Sequence, residues 1–412
     1  MSLIQEKGKW RRNIFLLRDL NNKNIAAGTV AGIFVITGPS ALILEASSNG
    51  NFSAAQTILW IFAVYVIGGI LGIFLPLYYR IPIVGGHTLT GTAFLATMTS
   101  QFSFNELIGA YIVSGIFILV VGSLSIFSRL VKLVPREVIS AMLAGMIMKY
   151  MVNFIISITQ LLLVGAISLI TFFVFSKWRT KIPPVIAAIV IGTIVLSLTY
   201  PINIGDIVLG KFLPQIQKPN FNTISILSVS IPLALLILSN DVAVGVGALE
   251  QNQYRTPINR IVSLSGVFSV ISGFFGGQSA NIAGMATVIC SDEEAGPKEK
   301  RYMGAVVAGV LLLTFGLFSW KLVPFIQALP KEFISIIVGF SLLGVFGKSI
   351  HESFSNPSMK TSATFALIIS LSNITILNIS SPIWSLLIGT LIARYIEKDP
   401  MGKRENNRKR TV

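Results

Sequence analysis

The chain has one cysteine, Cys290, and two histidines among its 412 residues. That scarcity excludes an internal disulfide and leaves nothing from which to build a cysteine–histidine metal cluster. Charge is scarce too. Only 12% of residues are Asp, Glu, Lys or Arg, against roughly 25% in soluble domains. The chain also lacks His-Glu-x-x-His, Gly-x-Ser-x-Gly and the phosphate-cradling Gly-x-x-x-x-Gly-Lys pattern, and no separate polar domain could hold a nucleotide. An enzyme is therefore not expected, nor is a metal or cofactor. Residues 1–24 are polar and basic with no short apolar core of their own, which argues against a cleavable signal peptide.

What the chain has is apolar surface. Hydrophobic residues make up 53% of it, too much to hide inside a water-soluble core, so the bilayer must be its solvent. The formal net charge of +15 does not point to nucleic acid, because the basic residues sit at the two ends and in short loops. Apolar runs fall near 25–46, 55–77, 82–99, 105–127, 136–152, 154–175 and 182–200. A polar stretch at 201–222 follows, then runs near 223–249, 258–275, 277–290, 301–323, 332–347, 361–379 and 382–396. The expected fold is an all-α membrane protein of 14 transmembrane segments, seven plus seven. The third and tenth segments are short and glycine-rich, as half-helices would be.

Charge sorts these segments. With the N-terminus inside and alternate crossing, 27 of the 32 Lys and Arg residues fall on the cytoplasmic side, as the positive-inside rule requires. Only Lys149, Lys211, Lys218, Lys321 and Lys331 fall at or near external ends. Both termini are thus expected in the cytoplasm. The domain reading is a cytoplasmic segment 1–24, a first repeat 25–200, a linker 201–222, a second repeat 223–396 and a basic tail 397–412, which could rest on anionic lipid.

Two halves are related by sequence. Pro135-Arg136-Glu137-Val138-Ile139-Ser140 recurs as Pro330-Lys331-Glu332-Phe333-Ile334-Ser335, 195 residues on. Gly109-Ala110 matches Gly304-Ala305 at the same spacing. Gly85-Gly86-His87-Thr88 matches Gly276-Gly277-Gln278-Ser279 at nearly that spacing. Matches in one order imply duplication. An odd number of segments per half would invert the second repeat, a common device of secondary transporters.

In such carriers the substrate lies near the midplane, at interrupted helices whose backbone ends are free. Two facing helix starts would suit an anion. The candidate substrate-binding residues are Ser40, Gly86, His87, Thr88, Asn240, Gln278, Ser279 and Asn281. Asp241 lies inside the eighth segment, where an ionisable group is costly and usually functional. Asp241 and His87 are the candidate proton-coupling residues. Thr37-Gly38-Pro39-Ser40 should break the first segment at mid-depth, level with Ser239-Asn240-Asp241 in the eighth. Glu45 and Glu250 lie where they could reach the interface, Glu106 and Glu137 start helices, and His351 is expected in a solvated loop.

Several stretches resemble the benzoate/proton symporter family. They are Phe275-Gly276-Gly277-Gln278 through Asn281, Ile289-Cys290, Glu294-Ala295, Pro297, Arg301-Tyr302, Glu106 to Gly115, and Pro135 through Ala141 to Gly145. The likeness spans about residues 24–395 and extends to a wider group of seven-plus-seven carriers for nucleobases, sulfate or bicarbonate. It implies a core domain and a gate domain, with a site between the third and tenth segments helped by the first and eighth. It also implies proton-coupled uptake of benzoate or a related small aromatic or organic carboxylate across the inner membrane by alternating access, the alternatives being a carrier of a nucleobase or inorganic anion with the same fold and, after it, an anion channel. The expected partners are an organic anion, a proton, membrane lipid and, in keeping with the wider group, a second copy as a homodimer. The chain departs from the family pattern at the site itself. Gln278 stands where a histidine is usual, Ser239-Asn240-Asp241 where Ser-Gln-Asn is usual, and Gly86-His87 and Leu89-Thr90 where a tryptophan and a proline are usual.

Overall fold

The computed structural model describes residues 18–127, 134–178, 183–200, 212–372, 374–376 and 379–397. Most of the 1–24 segment, the first half of the 201–222 linker and the tail beyond 397 lie outside the described residues.

The elements are almost all helical. The first half holds α1 (Asn22–Asn49), α2 (Ala54–Tyr79), β1 (Gly85–Gly86), α3 (Leu89–Met98), α4 (Phe104–Ser123), α5 (Arg136–Gln160), α6 (Leu162–Lys177) and α7 (Pro184–Thr199). The second holds α8 (Thr223–Gln251), α9 (Ile258–Phe274), β2 (Asn281–Ile282), α10 (Gly284–Ser291), α11 (Tyr302–Leu317), α12 (Ser319–Gln327), α13 (Lys331–Ser353) and α14 (Lys360–Ser372). A small hairpin of β3 (Thr375–Ile376) and β4 (Ile379–Ser380) then leads into α15 (Ser381–Ile396). Among the described residues, seven helices are long and apolar enough to cross a membrane: α1, α2, α4, α5, α8, α13 and the stretch Lys298–Leu317 containing α11. This is a helical, multi-pass membrane protein.

Local chemistry sets the helix starts. Asn21 with Asn24, Ser53 with Gln56, and Ser103 with Glu106 form reciprocal capping boxes at α1, α2 and α4. Each box satisfies amides that the first helical turn leaves unpaired. Pro135 and Pro330 precede α5 and α13. Glu106 and Glu137 therefore sit in first turns, where the helix dipole favours a negative charge. His351 is exposed but belongs to the last turn of α13, not to a loop.

Helix boundaries keep the spacing seen in the sequence. The residues just before α3 and α10, Thr88 and Ala283, are 195 apart, as are the ends of α2 and α9, Tyr79 and Phe274, and the caps Pro135 and Pro330. The glycine pairs, however, are not equivalent. Gly85-Gly86 forms β1, whereas Gly276-Gly277 closes α9, with Gly276 at φ +85°. The amides of Gly276 and Gly277 bond back to Gly273 and Ser272 carbonyls, the bond pattern of a helix ending in a left-handed residue.

The helices pack as two groups. In one, α2 and α1 pack on α11, α9 on α4, and α10 on α8 and α1. In the other, α13 and α14 pack on α5, α6 on α7, and α15 on α14. The groups touch where α1 meets α13 and α3 meets α5. Small residues allow the closest approaches, as expected where lipid tails remove any hydrophobic drive between helices. A side chain on Gly85 would collide with the backbone of Gly72, so β1 lies directly on α2.

The first helix is not broken. α1 runs through Pro39 without interruption. Proline lacks the N–H that would bond the carbonyl of residue i−4, here Val35. The hydroxyl of Tyr65, from α2, takes that carbonyl at 3.0 Å and the Ile36 carbonyl at 3.1 Å. A side chain from the neighbouring helix thus replaces the missing bond. In α8 the disturbance is real: Ile226–Ser230 and Ile237–Val242 are π-helical. The second π turn contains Ser239, Asn240 and Asp241.

Candidate functional site

The two short segments meet where β1 and β2 pair antiparallel, Gly86 opposite Asn281 and Gly85 opposite Ile282. Each strand leads straight into a short helix, α3 or α10. The pairing brings the polar residues on either side into contact. The Thr88 amide donates to Ser279 Oγ at 3.3 Å, and His87 and Gln278 are joined side chain to side chain. All four are buried.

Gln278 is fully committed. Trp60 Nε1–H, which can only donate, bonds Gln278 Oε1 at 2.5 Å. That fixes the amide: Nε2 must face Thr92 Oγ1 at 2.8 Å and His87 Nδ1 at 3.1 Å. An amide nitrogen donates, so His87 Nδ1 accepts and its proton resides on Nε2. His87 Nε2 is buried and has no partner among the described residues. The imidazole is held edge-on to the Tyr65 ring, with centroids 4.8 Å apart and planes at 90°.

Other members of the cluster hold similar unused capacity. Asn281 Nδ2 bonds the Ile282 carbonyl at 2.9 Å, while its Oδ1 is buried without a partner among the described residues. Asp241 lies against the Thr88 side chain, and its Oδ2 is also buried and unpartnered among the described residues. The Thr88 hydroxyl accepts from the Gly91 amide at 2.9 Å and so caps α3. Ala283 gives α10 no side-chain cap, so the first amides of α10 remain available. A Cβ on Gly284 would lie 2.6 Å from the Asp241 carbonyl oxygen. Only glycine lets the π turn of α8 approach the start of α10 this closely.

Ser40 joins indirectly. Its hydroxyl lies 2.7 Å from that of Tyr65, whose ring touches His87. Asn240 is turned away from the cluster. It lines a separate cavity of about 140 Å³ with Ser239, Ala243 and Val244 of α8, Arg136, Ile139 and Ser140 of α5, and Lys348 and Glu352 of α13. There Glu352 accepts from Ser140 Oγ at 3.0 Å and faces Lys348 at 3.6 Å.

Sequence reasoning did not single out Trp60, Tyr65, Thr92, Tyr111 or Phe315. Trp60 lies 6.2 Å from Tyr111 and Tyr65 lies 4.8 Å from Phe315, centroid to centroid. In an apolar helix an aromatic residue is ordinary, and nothing local marks Trp60 as the donor to Gln278 or Tyr65 as the donor to the α1 carbonyls. Glu45 is half-buried, not at a free interface: one carboxylate oxygen has no partner, and Lys149 and Tyr150 of α5 are its charged and polar neighbours. Glu250 is exposed.

Residues 18–395 match the family model described as BenE, benzoate membrane transport protein. The chain belongs to the BenE family. Similar proteins include the inner membrane protein YdcO of Escherichia coli K12, 29% identical over 89% of this chain and 93% of that one. The benzoate membrane transport protein of Acinetobacter baylyi is 26% identical over 91% of this chain and 96% of its own length. Among solved structures, the transmembrane domain of a cyanobacterial bicarbonate transporter, BicA, aligns with a TM-score of 0.56 and 17% identity, covering 90% of this chain and 97% of that domain. At that identity the likeness concerns the fold. This BenE-family chain is a membrane transporter, not an enzyme.

Proposed function

We propose that the protein is a proton-coupled carrier that takes up benzoate, or a related small aromatic carboxylate, across the inner membrane by alternating access. The observation that carries this reading is the convergence of His87 Nε2, Asn281 Oδ1 and Asp241 Oδ2, all buried and unpartnered, on the crossing of β1 and β2. Left unsatisfied, each such group costs free energy, which a carboxylate ligand would recover at the His87 Nε2–H and at a protonated Asp241. The His87 Nε2–H and the uncapped amides of α10 suit a carboxylate. Trp60, Tyr65, Tyr111 and Phe315 supply ring faces and edges for an aromatic body.

In this reading Gly86, Thr88, Gln278 and Ser279 shape the crossing, and Ser40 holds Tyr65 in place. Asp241 carries the coupled proton. His87 could share that role only if the Gln278 amide turned over and gave up Trp60. Residues 25–200 and 223–396 form two inverted repeats of seven segments around the 201–222 linker, with both termini, 1–24 and 397–412, in the cytoplasm. The first helix group acts as the core and the second as the gate. Asn240 then faces the cleft between them, and a homodimer is the expected assembly. The 195-residue recurrence of helix boundaries supports the repeat.

A second reading is a carrier for a nucleobase or inorganic anion. The Asn281 Oδ1 acceptor favours a ring bearing N–H groups over a carboxylate at that point. Uptake of radiolabelled benzoate into proteoliposomes, with and without an inward proton gradient, tests both. Gradient-driven accumulation blocked by cold benzoate, and not by uracil or sulfate, is expected. Absence of benzoate uptake by folded protein, or competition by uracil or sulfate, would reject benzoate.

A further inference from the structure

Away from this crossing, an open groove of about 700 Å³ lies between the end of α2, the end of α4 and the start of α9. Tyr78, Tyr79, Ser123, Asn259, Arg260 and Ser263 are among its lining residues, and none of the described lining residues is acidic. Gly122 brings α4 so close to α9 that a side chain there would strike Ser263. The Ser123 and Ser263 hydroxyls lie 3.5 Å apart. Arg260 lies beside Tyr79 in the wall of the groove. A guanidinium there offers up to five N–H donors in a planar fork.

The rim of the groove is aromatic and faces outward. Phe74 stacks on Tyr78 at 5.6 Å, and Tyr78 meets Tyr79 edge-on at 4.8 Å. Tyr78 is 65% exposed and Phe74 41%. Three helix ends converge here, next to Arg80, which pairs with Asp19 at 3.6 Å. Exposed tyrosines beside arginine at helix ends belong to the membrane–water boundary, and basic pockets between helices there bind lipid head groups.

We infer that this groove binds the head group of an anionic phospholipid. Its phosphate sits against Arg260 and the serine hydroxyls, and an acyl chain runs along Phe74 and Leu264. The charge is complementary, and the apolar rim would be wasted on a free phosphate.

The test uses delipidated full-length protein in detergent, with bound lipid counted by native mass spectrometry. Phosphatidylglycerol should be retained and phosphatidylcholine largely lost, and millimolar glycerol phosphate should not displace the lipid. Arg260→Gln should lower phosphatidylglycerol retention about fivefold, the scale expected for one basic group at an anionic surface. Arg260→Lys should keep most of the retention, and Lys177→Gln, which removes the same charge elsewhere, should leave it unchanged. Equal retention of the two lipids, equal losses in Arg260→Gln and Lys177→Gln, or displacement by glycerol phosphate would overturn the inference.

Discussion

Tyr65 offers a sharp test of how α1 tolerates a proline at its centre. Its hydroxyl bonds the Val35 and Ile36 carbonyls and contacts Ser40, and the side chain is fully buried. Tyr65→Phe keeps the ring, and with it the edge contacts to His87 and Phe315, but removes these bonds. Hydrogen bonds between membrane helices contribute about 0.6 kcal/mol on average and up to roughly 1.7. A buried acceptor left unpaired costs about 1–3 kcal/mol. Tyr65→Phe should therefore destabilise the fold by about 1–2 kcal/mol. Pro39→Ala changes the reckoning. An alanine at 39 has an N–H that bonds the Val35 carbonyl within the helix, so that acceptor no longer depends on Tyr65. In a Pro39→Ala background the cost of Tyr65→Phe should fall by roughly 0.5–1 kcal/mol. Unfolding by SDS in mixed micelles, run on the wild type, both single variants and the double variant, measures this coupling. Equal costs of Tyr65→Phe in both backgrounds would show that the hydroxyl does not replace the helical bond lost at Pro39.

Three further outcomes are expected. Asp241→Asn should abolish proton-driven accumulation while substrate exchange and membrane insertion persist; unaltered pH-driven uptake would take Asp241 out of the mechanism. His87→Gln should weaken apparent substrate affinity about tenfold, the scale of one lost charge-assisted hydrogen bond, and an unchanged apparent KM would count against a binding role. Glu397, beyond the end of α15, accepts from the Thr361 and Ser362 amides at 2.5 and 3.0 Å and caps the first turn of α14. Its partial burial opposes the charged form, but these bonds win and hold its carboxyl below the usual range. A depressed carboxyl stabilises the fold above its unfolded pKa, and that stability fades as pH falls. Glu397→Gln should therefore lower thermal stability at pH 7, and the gap from the wild type should start to close only as pH falls below the usual glutamate pKa of about 4.3; a gap that is constant with pH would exclude the cap.

Much of the membrane architecture was legible in the sequence because hydropathy and helix caps are local. Runs of apolar residues became helices close to where the sequence puts them, and Ser103 with Glu106 or Pro135 with Arg136 marks a helix start without reference to the rest of the chain. The pairing of His87 with Gln278 was half legible. Polar residues beside paired glycines in short segments drew attention to both, but the 191-residue match treated two different glycine pairs as equivalents.

Hydropathy and composition alone determined that the chain lies in a membrane, because long apolar runs in a chain with only 12% charged residues leave too little polar surface for water. The tertiary structure decided which polar atoms are satisfied. Trp60 fixes the Gln278 amide from 218 residues away and thereby sets the His87 tautomer. Tyr65 mends α1 at Pro39, and Gly284 admits the π turn that carries Asp241. These are contacts between residues far apart in the chain, each set by the packing of whole helices. A single strand of sequence carries no record of which helix faces which.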